Sequence, residues 1–307
     1  MKIAIIGAGG VGGYFGAKLA KAGYDVNLLA RGKHLDAIKS KGLIVKSILG
    51  DFHVNNLKAT NNINEIGKVD LIILGVKAWQ IKEISSDLNT IIHKDSVILP
   101  LQNGVLAADE LSEVIDKKYI VGGLCRIISK VDSPGVISHL GITPTIVFGE
   151  FDNSISDRVL KVKEVFDKAE IKSQISSDIN SDLWKKFISI CVSGLLAVTK
   201  TSYGELRELK ETRNMMVDLL EEVFKLSQRI GIKIEPDFID KTVSFIDSFP
   251  YETTSSLTRD VWDGKPSEIE YQNGTVVRLG EKYDIPTPVN KFVYNCILPM
   301  EIKARKK

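Results

Sequence analysis

Two groups of residues in this chain have types and spacings suited to chemistry. The first is Gly7-Ala-Gly-Gly-Val-Gly12, between the apolar run 2–6 and the helix-spaced apolar residues Tyr14, Phe15, Ala17, Leu19 and Ala20. A G-x-G-x-x-G turn with a strand before it and a helix after it is built to hold a dinucleotide. Gly7 lets the chain leave the strand sharply. Gly9 has no Cβ, so a pyrophosphate can approach the backbone, and Gly12 lets the helix pack on the sheet. The first-turn N–H groups, with Ala8, Gly10 and Val11 completing the turn, then face the phosphates at the positive helix end. The plainer alternative is a Gly-rich turn that binds nothing.

The next apolar run, 25–30, ends in Arg31, followed by Gly32-Lys33-His34. Chains that bind NAD carry Asp or Glu about 20 residues on, for the ribose 2′-hydroxyl. No acid stands there. A guanidinium grips a 2′-phosphate with two parallel hydrogen bonds, so the cofactor read from Arg31 is NADP(H). Surface cations without a ligand are the alternative for Arg31 and Lys33.

The second group lies far downstream. Lys186 falls on a helix whose apolar stripe is Trp184, Phe187, Ile188, Cys191 and Leu195, with Ile190, Ser193 and Gly194 stacked beside the lysine instead. Partial desolvation at a domain junction suits a lysine to general acid work. By spacing alone, a solvated helix lysine is the simpler reading. In Ser267-Glu-Ile-Glu270, Ser267 and Glu270 read as a capping box. Glu268 is left over, either to favour the helix dipole or to face a cleft.

The elements that must position these groups divide into two styles. Through about residue 175, apolar strands alternate with helices: 69–76, 96–101, 119–123 and 171–175 read as strands, 33–41 and 156–168 as helices. Residues 43–48 and 51–54 read as a hairpin, 59–60 as the approach to a polar turn, and 125–131, 135–139 and 145–148 as an antiparallel edge extension. The class is α/β, a Rossmann-type doubly wound sheet with right-handed crossovers. Ligands bind beyond the carboxyl ends of such strands, where the turn 7–12, Lys77-Ala-Trp-Gln80 and Gln102-Asn-Gly104 converge. From 176 strand signals nearly vanish, and 182–197, 211–230, 236–248, 254–262, 268–283 and 288–304 read as helices. The expected domains are therefore 1–175, binding NADP, and 176–307, all-helical and holding substrate.

Composition bounds the partners. A chain of 307 residues with a net charge of +2 implies no nucleic acid or other polyanion. Cys125, Cys191 and Cys296 lie far apart, which argues for free thiols in a reducing cytoplasm. The four dispersed histidines offer no metal-ligand spacing. No apolar run approaches the ~18 residues of a membrane span, and Met1 leads straight into a strand, leaving no room for a signal peptide. Monomer and homodimer both remain open.

Taken together, the turn 7–12, Lys77-Ala-Trp-Gln80, Gln102-Asn-Gly104, Leu183-Trp-Lys-Lys186, Gly204-Glu-Leu206, Ser255-Ser256 and Ser267-Glu-Ile-Glu-Tyr-Gln-Asn-Gly274 resemble the ketopantoate reductases along nearly the whole chain. The resemblance implies NADPH-dependent reduction of a 2-oxo acid, with 2-dehydropantoate leading and (R)-pantoate as product, on the path to coenzyme A. It implies Lys186 as general acid, Glu268 on the substrate hydroxyl, Ser256 on the substrate carboxylate, Asn103 and Lys77 near nicotinamide and substrate, and Gln80 on the cofactor side. It also places Asn273-Gly274 within a helix rather than a turn, and implies that closure of the two domains excludes water.

The chain departs from the family where asparagines are usual, four and eight residues after the lysine and three before the serine. Those positions hold Ile190, Gly194 and Thr253. With Ile and Gly there instead, the expected pocket is less polar and roomier at one point. A different, less polar 2-oxo acid or ketone is therefore an alternative substrate. A non-catalytic NADP sensor is a second alternative, against which the presence of both Lys186 and Glu268 speaks.

Overall fold

The computed structural model describes residues 1–306. Contacts divide the chain into two compact units, Met1–Gln102 with Leu106–Ile179, and Asn103–Val105 with Asn180 onward. The division falls after Ile179 rather than between 175 and 176, and 103–105 belong with the helical unit. The packing explains both differences. A Cβ on Gly122 would lie 2.5 Å from Ile179 Cγ1, so Ile179 is seated in the first unit, whereas Val105 packs against the helical core.

The first unit runs β1 (Lys2–Ile6), α1 (Gly10–Lys21), β2 (Asp25–Leu29), α2 (Gly32–Lys41), β3 (Leu43–Ser47), β4 (Phe52–Val54), β5 (Lys58–Thr60), β6 (Leu71–Leu74), α3 (Ile81–Leu88), β7 (Val97–Pro100), α4 (Ala107–Ser112), β8 (Gly122–Ser133), β9 (Val136–Gly149), α5 (Asp157–Lys168) and β10 (Lys172–Ile175). Strands pair in the order β5-β2-β1-β6-β7, all parallel. Both faces of this sheet are covered, which is why its central strands are unbroken apolar runs. On one face Ile3, Ile5, Val26 and Leu28 meet Phe15 and Leu19 of α1. On the other, Ala4, Ile6, Ile72 and Leu74 meet Ile81, Leu88 and Leu111. Each such buried Leu, Ile or Phe is worth about 1.5–3 kcal/mol relative to exposure. The short β5 forms where the sequence suggested only an approach to a turn, because β2 supplies its partner.

The expected edge extension is instead a second sheet, β10-β9-β3-β4, with β8 paired to β9. Residues 135–139 and 145–148 are parts of one strand, β9. The pairing of β8 with β9 shifts register between Arg126 and Ile128, and Gly141 takes φ +74°, so the interruption is a bulge and not a turn. Both β3 and β10 run parallel to β9.

The helical unit contains α6 (Ile179–Ile190), whose first residue sits in the first unit, then α7 (Val192–Thr199), α8 (Tyr203–Glu208), α9 (Lys210–Ile230), α10 (Phe238–Asp247), α11 (Ser256–Trp262), α12 (Asn273–Tyr283) and α13 (Pro288–Arg305). The stripe Trp184, Phe187, Ile188, Cys191 and Leu195 is buried, and so are Met216, Leu219, Leu220 and Val223 of α9. The expected helix 182–197 is two, broken at Cys191. The expected helix 268–283 begins instead as a short 3₁₀ turn, Ile269–Tyr271, ahead of α12. The unforeseen α8 is started by a capping box in which Ser202 N–H donates to Glu205 Oε2 (2.7 Å) and Glu205 N–H to Ser202 Oγ (3.3 Å). Among the described residues no helix is long and apolar enough to cross a membrane.

Candidate active site

In the first unit, the Gly-rich turn leaves β1 at Gly7, whose φ of +99° favours glycine. Gly7 and Ala8 N–H both donate to Leu29 O at 3.2 Å, tying the turn to the end of β2. Gly9 caps α1, and a Cβ there would meet nothing within 4 Å, so the space over it is open. A Cβ on Gly12 would lie 2.0 Å from Gly7 O, and one on Gly75 would lie 2.9 Å from Gly12 Cα. The three glycines of the motif thus turn, open and pack, as their spacing requires. Gly10 lies under β8, where a Cβ would come within 2.5 Å of Ser129 O. Gly10 and Val11 open α1, whose first turn holds no acid to oppose a phosphate.

Arg31 caps α2 in extended conformation, two residues beyond the carbonyl that holds the turn. It is exposed, and among the described residues no carboxylate pairs with it. This donor set fits a dinucleotide with a 2′-phosphate. At the end of β6, Lys77 N–H donates to Gln80 Oε1 at 3.1 Å, so the Gln80 oxygen is engaged in its own turn. The Lys77 ammonium lies 5.7 Å from the Trp79 ring centroid. Gln102, the first residue of Gln102-Asn-Gly104, serves the fold rather than a ligand. Its Nε2 donates to Leu74 O (2.9 Å) and Val76 O (3.0 Å), pinning the end of β6.

In the helical unit the structure brings Asn103 and Glu268 together. Asn103 Nδ2 donates to Glu268 Oε2 at 3.0 Å, and Glu268 is 6% exposed. The Glu268 carbonyl accepts from Tyr271 and Gln272 N–H, both at 3.0 Å, closing the 3₁₀ turn. The expected capping box does not form. Ser267 N–H and Oγ donate to Glu301 Oε2 at 2.8 and 2.7 Å, while Glu270 pairs with Arg278 and accepts from Tyr294 OH at 2.5 Å. Tertiary partners displace the local cap. Burial and that bond to Glu270 push the Tyr294 phenol up to about 12.

Lys186 is half-buried on α6, off the apolar stripe, and Ile190 is half-buried and packs against the helical core. The lysine's neighbour Lys185 pairs with Glu235 at 2.6 Å. Ser256 is exposed at the first position of α11, after Ser255, whose Oγ accepts from Thr258 N–H at 3.1 Å. Thr253 contributes its carbonyl to Tyr203 N–H at 2.9 Å.

The expected roominess at Gly194 is not there. A Cβ on Gly194 would lie 2.4 Å from Asn273 Oδ1 and 2.7 Å from Val293 Cγ1. The fully buried Asn273 fills the space, and its Nδ2 donates to Cys191 O (3.1 Å) and Asn290 Oδ1 (2.9 Å). Asn290 Nδ2 donates in turn to Glu222 Oε2 at 2.7 Å, and Glu222 Oε1 accepts Val289 N–H at 2.8 Å at the start of α13. This network, which spacing did not reveal, stitches the break at Cys191 to the helix that follows Glu268. Asn273 and Gly274 indeed open a helix, α12. Among the described residues no cluster of His, Cys, Asp or Glu could hold a metal.

A doubly wound parallel sheet with this turn, joined to a helical unit carrying a buried carboxylate and a half-buried lysine, defines a two-unit dinucleotide-dependent oxidoreductase. Residues 3–153 match the family model described as ketopantoate reductase PanE/ApbA, and 178–301 match that family's C-terminal model. The chain is 30% identical over 308 residues to a 2-dehydropantoate 2-reductase of Pyrococcus abyssi, covering 100% of both. It is 29% identical over 295 residues to an uncharacterized oxidoreductase, YkpB, of Bacillus subtilis, covering 96% of this chain and 97% of that one. The crystal structure of a ketopantoate reductase from Ralstonia eutropha JMP134 superposes with a TM-score of 0.91 at 29% identity, covering 99% of this chain and 100% of that one. The chain belongs to the ketopantoate reductase family, NADP-dependent oxidoreductases that act on CH–OH donors.

Proposed function

We propose that the chain reduces 2-dehydropantoate to (R)-pantoate with NADPH. The observation that carries the reading is the buried Glu268 carboxylate held by Asn103 Nδ2 at 3.0 Å, in a chain whose full-length relatives bear that activity in their names. NADPH, when bound, supplies a hydride to the keto carbon. The residues of the chain then have separate roles. Lys186 protonates the oxygen, where hydride arrival would otherwise leave an alkoxide. Glu268 accepts the hydrogen bond of the substrate hydroxyl, and Asn103 orients that carboxylate. Ser256, at the head of α11, holds the substrate carboxylate. Arg31 grips the 2′-phosphate, the turn 7–12 takes the pyrophosphate, and Lys77 and Gln80 line the cofactor side. The division of labour supports the first unit, Met1–Gln102 with Leu106–Ile179, as the NADP-binding part and the helical unit as the substrate part. The free thiols support a reducing cytoplasmic setting.

A second reading, a less polar 2-oxo acid as substrate, is favoured by one observation. Ile190 stands half-buried on the Lys186 side of α6, where the family usually has an asparagine. Following NADPH absorbance with a panel of 2-oxo acids decides. The first reading expects the highest kcat/KM for 2-dehydropantoate, and another member better by orders of magnitude would replace it with the second.

A further inference from the structure

We propose that His34 is a positioning residue of the dinucleotide turn, aiming the Gly9 N–H at the pyrophosphate by holding the Ala8 carbonyl. The proposal rests on reading the turn 7–12 as the cofactor site. His34 stands in the first turn of α2, three residues past Arg31. Its Nε2 is 2.9 Å from Ala8 O, and Gly135 N–H donates to its Nδ1 at 3.0 Å. A backbone N–H can only donate, so Nδ1 carries no proton. The proton of the neutral ring is therefore on Nε2, directed at the Ala8 carbonyl. Half-burial of the ring lowers its proton affinity, partly offset by the Ala8 bond, in keeping with this neutral form.

In a trans peptide the C=O and the following N–H point in opposite directions. Fixing the Ala8 carbonyl on the imidazole therefore turns the Gly9 N–H the other way. Ala8 is held at its other end as well, by its own N–H on Leu29 O at 3.2 Å. Glycine is the residue with most backbone freedom to lose, and Gly9 faces open space. A turn of this composition needs an outside anchor to be ordered before ligand arrives, and such preorganisation strengthens binding. The anchor is itself braced by Gly135, at the β8–β9 turn, where a Cβ would lie 3.1 Å from Ala37 Cβ of α2.

This role differs from that of Arg31. A 2′-phosphate distinguishes NADPH from NADH, whereas the pyrophosphate is common to both. The test is a fluorescence titration of NADPH and NADH into wild type, His34→Asn and His34→Gln, with the Tm of each cofactor-free protein. An Asn amide sits near Nδ1 and keeps the Gly135 contact while losing Ala8. A Gln amide reaches the Nε2 position and keeps a donor for Ala8. We expect His34→Asn to weaken both cofactors by the same factor, about tenfold, the loss of one hydrogen bond's worth of ordering. His34→Gln should stay within about twofold to threefold of wild type. A loss confined to NADPH would mean that His34 acts only by placing Arg31. A lowered Tm with unchanged affinities would make it a structural staple, and either result overturns the proposal. Wild type binding neither cofactor would instead refute the reading of the turn, which the wild-type titration alone reveals.

Discussion

Asn103 Nδ2 and Glu268 Oε2 meet at 3.0 Å although the two residues are 165 positions apart in sequence. The bond lies inside the helical unit, because 103–105 leave the end of β7 and pack with it. It orients a carboxylate that is 6% exposed. A buried carboxylate that binds a substrate hydroxyl contributes on the order of 1.5–3 kcal/mol, so Glu268→Gln should lower kcat/KM for the 2-oxo acid by about 10–100-fold. NADPH affinity should be unchanged. Asn103→Ala should cost less, and the double variant less than the sum, since each loss includes their shared bond. Strict additivity in steady-state kinetics would mean that Asn103 does not act through Glu268.

Lys186 is the proposed proton donor, and a positioned general acid is worth about 10²–10⁴-fold. Lys186→Ala should lower kcat by that range, with NADPH affinity within about twofold of wild type. Lys186→Arg should not restore turnover, because a guanidinium keeps its proton. Turnover recovered by Arg would assign the position a purely electrostatic role.

Arg31 is exposed and without an acidic partner among the described residues, so it is available to a phosphate. Arg31→Asp should raise KM for NADPH by about 100-fold or more, the loss of a charge-assisted pair plus repulsion, and leave KM for NADH within severalfold. Equal effects on the two cofactors would remove the 2′-phosphate from the account.

The residues that could be read from sequence are those whose partners are nearby in sequence or are fixed by topology. The turn 7–12 announces itself through its flanks, and the central strands through unbroken apolar runs. Gly75 and Glu222, and the contacts of Gln102, His34 and Asn273, are not legible in the sequence because their partners come from other elements. A histidine after Arg-Gly-Lys carries no sign that it will meet Ala8 and Gly135. The capping box that Ser267 and Glu270 suggest does not form for the same reason: Glu301, Arg278 and Tyr294 reach them from α13 and α12. At Gly194 a missing side chain suggests space, whereas Asn273 fills it.

Stability should respond to pH through His34. Burial holds its proton affinity below the ordinary histidine value of about 6.5, against the opposing pull of the Ala8 carbonyl. The unfolded chain then binds this proton more readily than the folded one. The contribution of the neutral ring is fully present above pH ~6.5 and is lost as pH falls through the lowered folded value. The Tm difference between wild type and His34→Gln should therefore narrow below pH ~6.5 and be flat above it. A difference that widens on acidification would mean the ring is protonated in the folded state.

The Gly194 position separates packing from specificity. Asparagine there would place its Cβ 2.4 Å from Asn273 Oδ1 and 2.7 Å from Val293 Cγ1, among fully buried side chains. Overpacking of this kind costs about 1–3 kcal/mol, and about 1 kcal/mol lowers the Tm of a domain of this size by about 2–4 °C or more. Gly194→Asn should therefore lower Tm by several degrees without improving kcat/KM for 2-dehydropantoate. Adding Asn273→Ala should recover only part of the loss, because the same change takes one of two donors from the Cys191 carbonyl and removes the donor to the buried Asn290 Oδ1. Ile190→Asn gives up apolar contact with the helical core, so it too should lower Tm, and it should raise the preference for hydroxylated over unhydroxylated 2-oxo acids by about tenfold, one new hydrogen bond's worth of discrimination. If Gly194→Asn instead raises kcat/KM with Tm unchanged, Asn273 yields its place, and substrate choice extends along the whole face from Lys186 to Gly194.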